Sequence, residues 1–159
     1  MPAGFRLTSS IMTKPDLHAR CHAFIEQRIS AARTAMQAAQ ESSSSETKSS
    51  AGDKYETGRE MANAERDRNA AHMQQAQQLQ AELGRISPDA PCDTVRPGAL
   101  VTTSLGRFYI ATSAGKVVAE GQEVFAVSPA APVAMALKGL RAGQEAVFNG
   151  KAVRVLAIE

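Results

Sequence analysis

The sequence contains no tryptophan and few other aromatic residues, with five Phe and two Tyr among 159 residues. A wide ligand pocket lined by aromatic rings is therefore not expected. No run of about 18 apolar residues is present, which is the length that a membrane-spanning helix requires. A basic start followed by an apolar stretch, as in a signal peptide, is also missing. These absences predict a cytoplasmic protein that has no membrane segment.

The two cysteines, Cys21 and Cys92, lie in different halves of the chain and form no C-x-x-C pair. Neither a zinc site nor a disulfide framework is expected from this spacing. We interpret them as reduced thiols.

Neither sign of charge dominates. The chain carries 18 Lys and Arg against 16 Asp and Glu, which gives a formal net charge of +2. Residues 1–90 hold 11 basic and 11 acidic residues, and residues 91–159 hold 7 and 5. A charge this small and dispersed does not predict a basic nucleic-acid-binding surface. Sequence-specific DNA binding is therefore not expected.

Proline is absent between Pro15 and Pro88, and the intervening sequence is rich in the good helix formers Ala, Gln, Glu, Arg and Met. Thr13 followed by Asp16, with Pro15 between them, is typical of a helix start. The sequence predicts two long helices, roughly 14–45 and 56–86, that pair as an antiparallel hairpin over residues 13–86.

Apolar residues recur along both helices at spacings that suit a coiled-coil seam. In the first helix they are Cys21, Ile25, Ile29, Ala32, Met36 and Ala39. In the second helix they are Met61, Met73, Ala76, Leu79, Leu83 and Ile86. The stretch 63–69 is nearly all polar, so the pairing is expected to be tightest where the second helix ends and the first begins.

The predicted tip of the hairpin covers about residues 42–57. Its serine-rich part, 42–52, favours neither helix nor core, and both a flexible connector and an ordered loop remain open. Asp53 and Glu56 then begin the second helix. They suit a capping box, in which each side chain accepts a hydrogen bond from a free backbone N–H. Three residues apart on a helix, the two carboxylates also share a face and can approach one cation.

The second half of the chain has a different pattern. Residues 87–97 form a linker stiffened by proline, and short β-branched runs follow at 99–103, 107–112, 123–127, 145–148 and 151–158. Asn149-Gly150 predicts a tight β-hairpin turn. The segment 132–138 begins with proline and predicts a short helix.

These elements predict an α+β protein. Residues 1–12 form an N-terminal arm that precedes the hairpin, and 98–159 form a small, bent antiparallel sheet that carries one short helix.

The residues resemble the Gre family of bacterial transcript cleavage factors. Gly52-Asp53-x-x-Glu56 is similar to the acidic tip of that family, and the second half is similar to its FKBP-like C-terminal domain. The segments that carry the second likeness are 97–101, 127–132, 136–139, 142–144 and 155–158.

The resemblance implies a transcription elongation factor that enters the secondary channel of bacterial RNA polymerase and stimulates hydrolysis of backtracked RNA. Asp53 and Glu56 would be the catalytic residues and would hold Mg²⁺ together with the polymerase, so that the protein acts as a helper and is no enzyme on its own. Tyr55, Lys54 and Arg59 are candidates for RNA contact near the 3′ end. We expect a monomer.

Contact with polymerase would involve the stretch 127–137, and the candidates are Ser128, Pro129, Pro132 and Met135. A simpler alternative assigns Val133, Met135 and Leu137 partly to the core of the domain itself. Peptidyl-prolyl isomerase activity, which the name of the fold suggests, is disfavoured because few aromatics are available to line a proline pocket.

The tip departs from the family pattern Glu-Asn-Ala-Glu-Tyr, because it reads Glu56-Thr57-Gly58-Arg59-Glu60. This difference keeps two alternatives open. One is a non-cleaving regulator that occludes the channel or competes with cleavage factors, and the other is a general protein-interaction module. His18 and His22 are four residues apart, a spacing that a metal could use, but a surface pair without metal is the preferred interpretation.

Overall fold

The computed structural model describes residues 12–47, 52–119 and 121–159, and for residues 43–47, 52–55 and 119 it describes the backbone alone. Helix α1 is Lys14–Thr47, with 34 residues, and helix α2 is Gly52–Gly84, with 33 residues. Most of the predicted arm and the connecting residues 48–51 lie outside the described residues. None of the helices in the described part of the chain has a stretch long and apolar enough to cross a membrane.

Helix α1 begins with the predicted capping box. The Thr13 hydroxyl accepts a hydrogen bond from the Asp16 backbone N–H at 3.3 Å, and the Asp16 carboxylate accepts one from the Thr13 N–H at 3.3 Å. Each side chain satisfies a backbone donor that the first helical turn leaves free. Pro15 lies in this first turn, where its missing N–H is not needed.

Within the serine-rich stretch, residues 42–47 are helical and are neither a connector nor a loop, because α1 continues two residues beyond its predicted end at about residue 45. Serine is only a modest helix former, but extending a helix adds one hydrogen bond per residue without the cost of a new nucleus. The helix already formed upstream therefore accounts for the extension.

The predicted seam of α1 is buried along most of its length, with Met36 half-buried. In α2 the prediction at Met61 is wrong, because its side chain is 67% exposed. Ala62 is buried in its place, and Ala76 and Leu83 are buried as predicted. These positions fit a seven-residue repeat, which keeps one face of a helix directed at a paired helix.

Six strands follow the helices: β1 Leu100–Thr103, β2 Gly106–Ile110, β3 Gly115–Ala119, β4 Gln122–Val127, β5 Glu145–Phe148 and β6 Lys151–Ile158. Helix α3, Pro132–Leu137, lies between β4 and β5. The strand order is β3-β4-β2-β1-β6-β5. The predicted α+β class, a helical hairpin followed by a small sheet with one short helix, is confirmed.

Two features of the sheet differ from the prediction. Strand β3 was not predicted, and it pairs antiparallel with β4 at the edge of the sheet. Because the chain goes to this edge before returning, β4 runs parallel to β2, with Phe108 opposite Phe125. The sheet is therefore mostly, and not wholly, antiparallel.

The turn between β5 and β6 is as predicted. Phe148 pairs with Lys151, and both intervening residues have positive φ, 53° for Asn149 and 77° for Gly150. These angles are those of a type I′ turn, whose twist matches that of the two strands it joins.

One face of the sheet packs against α3. Its core contains Val101, Phe108, Leu137, Val153 and Val155, all buried. Leu100 and Tyr109, which are paired on β1 and β2, have their side chains on the opposite face and are also buried.

The chain divides into two compact units, and the division runs across both long helices. One unit is Met1–Ala23 with Glu82–Glu159, and the other is Phe24–Ala81. The first contains the start of α1 and the end of α2 together with the sheet, and the second contains the remaining length of the hairpin. The domain boundaries given by composition, at 13–86, 87–97 and 98–159, remain a prediction.

Candidate functional site

The acidic tip lies at the start of α2. The helix begins at Gly52, so Asp53 is its second residue and Glu56 lies one turn further on. The predicted capping box places Asp53 before the helix, and this placement is wrong because Asp53 lies inside it. A negative charge in the first turn remains favourable, since the helix dipole makes the N-terminus partly positive.

The side chain of Glu56 is exposed to solvent, as is that of Arg59. The side chains of Asp53, Lys54 and Tyr55 lie outside those that the structure describes, so their predicted roles stay predictions. Positions 53 and 56 are three apart within one helix, the spacing at which two side chains are neighbours. The backbone therefore places both acidic positions within the first turns of α2.

Two carboxylates are few for a metal site. Mg²⁺ prefers oxygen ligands and retains several waters, and one or two protein carboxylates are common in its sites. The donor chemistry of Asp53 and Glu56 suits Mg²⁺, provided that a partner supplies further ligands. Among the side chains that the structure describes, no group of three or more His, Cys, Asp or Glu is arranged to hold a metal.

The predicted polymerase-contact residues lie close together at the end of β4. The Ser128 hydroxyl accepts a hydrogen bond from the Ala130 N–H at 3.1 Å, and the Ser128 carbonyl accepts one from the Ala131 N–H at 2.9 Å. These bonds fold the chain into a tight turn that leads into α3. Pro132, the first residue of α3, is exposed.

Helix α3 presents one side to the core and one to solvent. Val133, Ala134 and Leu137 are buried, whereas Met135 is 58% exposed. The alternative that placed all three of Val133, Met135 and Leu137 partly in the core is therefore right for Val133 and Leu137 and wrong for Met135. With Pro132, Met135 forms an exposed apolar site beside the Ser128–Ala131 turn.

A polar cluster that the sequence did not predict lies between the start of α1 and the sheet. His18 Nδ1 is 3.0 Å from the hydroxyl oxygen of Tyr109 on β2. The interpretation of His18 and His22 as a surface pair is thus wrong for His18, which is half-buried. The pKa of His18 lies below the ordinary value of 6.5, first because the side chain is partly buried and second because of the charge of His22.

The same cluster contains Lys14, whose side chain is buried. Its Nζ donates a hydrogen bond to the Ala90 carbonyl oxygen at 2.7 Å and lies 3.9 Å from Cys92 Sγ. Both cysteines are buried free thiols, and burial raises the pKa of Cys21 to about 11. The cluster joins α1 to the linker and to β2, and we interpret it as structural.

The comparisons with known proteins give likenesses to solved structures. No protein-family model and no curated protein matches the chain. The crystal structure of GreA factor homolog 1 (Gfh1) of Thermus thermophilus is 22% identical, covering 87% of this chain and 94% of that one, with a TM-score of 0.35. A second structure, of the transcription factor Gfh1, is 20% identical, covering 87% of this chain and 92% of that one, also with a TM-score of 0.35.

The first neighbour is named as a homolog of GreA, and the tip and the sheet segments of this chain resemble the Gre family. A TM-score of 0.35 is too low to transfer an activity or a site residue to this chain. The function of this chain is therefore inferred from its own helices and from the resemblance of its tip and sheet segments to the Gre family.

Proposed function

We propose that this chain is a Gre-like transcription factor whose helical hairpin enters the secondary channel of bacterial RNA polymerase. The observation that carries the proposal is the pair of helices α1 and α2, of 34 and 33 residues, with an acidic position at the start of α2. At about 1.5 Å per residue, each helix is roughly 50 Å long. A hairpin of this length can deliver the residues at its turn into a deep and narrow cavity.

At the tip, Asp53 and Glu56 supply two carboxylates beside the catalytic centre of the polymerase. There they hold Mg²⁺ jointly with carboxylates of the polymerase, because two ligands from this chain are too few to bind it well alone. A second Mg²⁺ in such a centre supplies charge stabilisation for phosphodiester hydrolysis. The chain is thus a helper of the polymerase and not an enzyme on its own.

We infer that three neighbours of the acidic pair contact the 3′ end of backtracked RNA. Tyr55 offers an aromatic face on which a base can stack, and Lys54 and Arg59 offer positive charge to phosphate. The net charge of the chain is only +2, so these contacts are local and depend on the hairpin being inserted.

The turn at Ser128–Ala131 and the exposed side of α3 form the proposed docking site. Pro129, Pro132 and Met135 provide an apolar contact there. Because the two prolines are already rigid, little conformational entropy is lost when they bind. Docking through this site confines the tip near the catalytic centre at an effective concentration that reaches about the millimolar range. The protein acts in this way as a monomer.

The altered tip favours a second candidate, a secondary-channel regulator that does not cleave. Helix α2 continues through Thr57-Gly58-Arg59, where the family pattern has Asn-Ala-Glu. Glycine inside a helix lowers its stability by about 1 kcal/mol relative to alanine, so the start of α2 differs from the family pattern in stability as well as in charge.

Incubating the purified protein with a backtracked elongation complex tests the two candidates. The cleavage factor shortens the RNA from its 3′ end. The regulator leaves the RNA intact and inhibits cleavage by an active factor added afterwards. A protein that does neither, and does not bind polymerase, would contradict both candidates.

A further inference from the structure

The packing between α1 and α2 changes along the unit Phe24–Ala81. At one end, the buried side chains include Ile25 and Ile29. At the other end, the fully buried seam residues are Ala32, Ala39 and Ala62, and the one larger apolar seam residue, Met36, is only half-buried. An alanine buries far less apolar surface than an isoleucine, so the alanine end is held by a weaker hydrophobic contribution.

Two polar residues occupy the seam at the alanine end. Arg66 and Asn69 lie between Ala62 and Met73 at alternating spacings of four and three, and both are half-buried. Asn69 Nδ2 donates a hydrogen bond to the carbonyl oxygen of Glu65 at 2.9 Å, within its own helix. Side chains that bond to their local backbone compete with helical hydrogen bonding, and this one does not tie α2 to α1.

Arg66 also makes its ion pair within α2, where its Nη2 lies 3.3 Å from Asp67 Oδ1. Across the hairpin, it lines the same surface groove as Arg33 of α1. Because the residue across the groove is also basic, Arg66 and Arg33 form no ion pair that would hold the two helices together. Alanine packing contributes little hydrophobic stabilisation, and the polar contacts of Arg66 and Asn69 stay within α2, so this part of the hairpin is the more weakly held.

We define the distal segment as residues 32–42 and 56–70, and the proximal segment as residues 24–31 and 73–81. We propose that the distal segment opens as a cooperative unit of its own, well before the proximal segment, and becomes ordered when a partner's cavity encloses it. The opening is a property of the free protein. The ordering rests on the proposed function, with the polymerase channel as the cavity.

Opening of the distal segment in the free protein lowers its affinity for a partner. Part of the interaction free energy is used to order the distal segment, so the hairpin binds less tightly than a rigid hairpin of the same surface and dissociates sooner. A variant that stabilises the distal segment should therefore bind polymerase more tightly.

Hydrogen exchange of the full-length protein, followed by mass spectrometry, tests the opening. Local opening free energies differ across a structure and appear directly in amide exchange rates. Amides of residues 58–69 should exchange at least about tenfold faster than those of residues 74–81. Equal rates, or slower exchange in 58–69, would overturn the proposal.

A pair of variants tests whether the polar seam residues cause the faster exchange of the distal segment. Asn69→Leu replaces a polar seam residue by an apolar one, and exchange in residues 33–42, on the unmodified helix, should slow by about tenfold. Gln75→Leu makes a comparable change at an exposed position of α2 and should leave that exchange unchanged. If the two variants behave alike, the seam is not the cause and the proposal is wrong.

Exchange of the wild type bound to RNA polymerase tests the ordering separately. Protection of residues 58–69 should rise in the complex to the level of residues 74–81. Fast exchange that persists in a demonstrated complex overturns the ordering, whereas a failure to form any complex overturns the proposed function and leaves the exchange of the free protein as the test of the opening.

Discussion

The imidazole of His18 and the phenol of Tyr109 meet edge to face, with Nδ1 3.0 Å from the hydroxyl oxygen and ring centroids 6.3 Å apart. Tyr109 is fully buried, so its hydroxyl depends on a protein partner for a hydrogen bond. The neutral ring of His18 can provide one, because its unprotonated nitrogen is an acceptor. This contact joins the second turn of α1 to the C-terminal part of β2.

The first prediction concerns the pH dependence of stability. Burial, and then His22, lower the pKa of His18 below its ordinary value of 6.5. Between the lowered and the ordinary pKa, the unfolded chain binds more protons than the folded one. The stabilisation is therefore fully present above about pH 6.5 and is lost as the pH falls towards the folded pKa.

Urea denaturation between about pH 8 and about pH 5.5 measures this effect. The free energy of unfolding should decrease on acidification, and less steeply in His18→Gln. The neighbours Tyr109 and Cys21 do not contribute in this range, because burial raises the pKa of both. A His18→Gln protein with the same pH dependence as wild type would contradict the assignment.

The second prediction concerns Lys14, which is buried while its Nζ donates to the Ala90 carbonyl oxygen. Lys14→Met keeps most of the apolar stem but removes the donor. It should lower the free energy of unfolding by about 1–2 kcal/mol and speed hydrogen exchange in residues 87–92. Lys138→Met, at an exposed position, serves as the control and should change stability by less than about 0.5 kcal/mol.

The third prediction concerns docking. Met135→Asp places a charge in the proposed contact site at a residue that is already 58% exposed, so folding should be little affected. Binding to RNA polymerase should weaken by about tenfold, as expected when a buried contact residue of an interface is lost.

Leu105→Asp is the matched control for Met135→Asp. Leu105 is 47% exposed and lies in the turn before β2, whereas the docking site follows the end of β4, a strand parallel to β2. The two positions are thus at opposite ends of these strands. Equal loss of binding in both variants would show that added negative charge, and not the α3 site, is responsible.

Local signals in the sequence predicted most of the elements. Thr13 and Asp16 predicted the helix start because a capping box involves only neighbouring residues, and Asn149-Gly150 predicted its turn because both residues accept positive φ. The α1 seam was predicted from the helical period. The same period explains why Met135 is exposed while Val133 and Leu137 are buried, although the sequence had left a place for Met135 in the core open.

Long-range features could not be predicted in this way. The parallel pairing of β2 with β4 depends on β3 lying at the edge, and the only local signal for β3 was Lys116-Val117-Val118 between Gly115 and Gly121. The pairing of His18 with Tyr109 depends on how α1 meets the sheet, which periodicity within either element does not contain. Met61 was misassigned because the polar stretch at 63–69 separates Ala62 from Ala76 and Leu83, which were predicted correctly, and so hides the continuation of their seven-residue repeat to Ala62.

The roles of Asp53 and Glu56 are central to the proposed function, and RNA cleavage in a backtracked elongation complex tests them most directly. Asp53→Ala and Glu56→Ala should each abolish shortening of the RNA while polymerase binding is retained, and the loss of a first-turn charge should lower the free energy of unfolding by about 1 kcal/mol or less. Glu82→Ala, an exposed carboxylate near the end of α2, should cleave as the wild type does. Cleavage at the wild-type rate by the Asp53→Ala/Glu56→Ala double variant would contradict the mechanism.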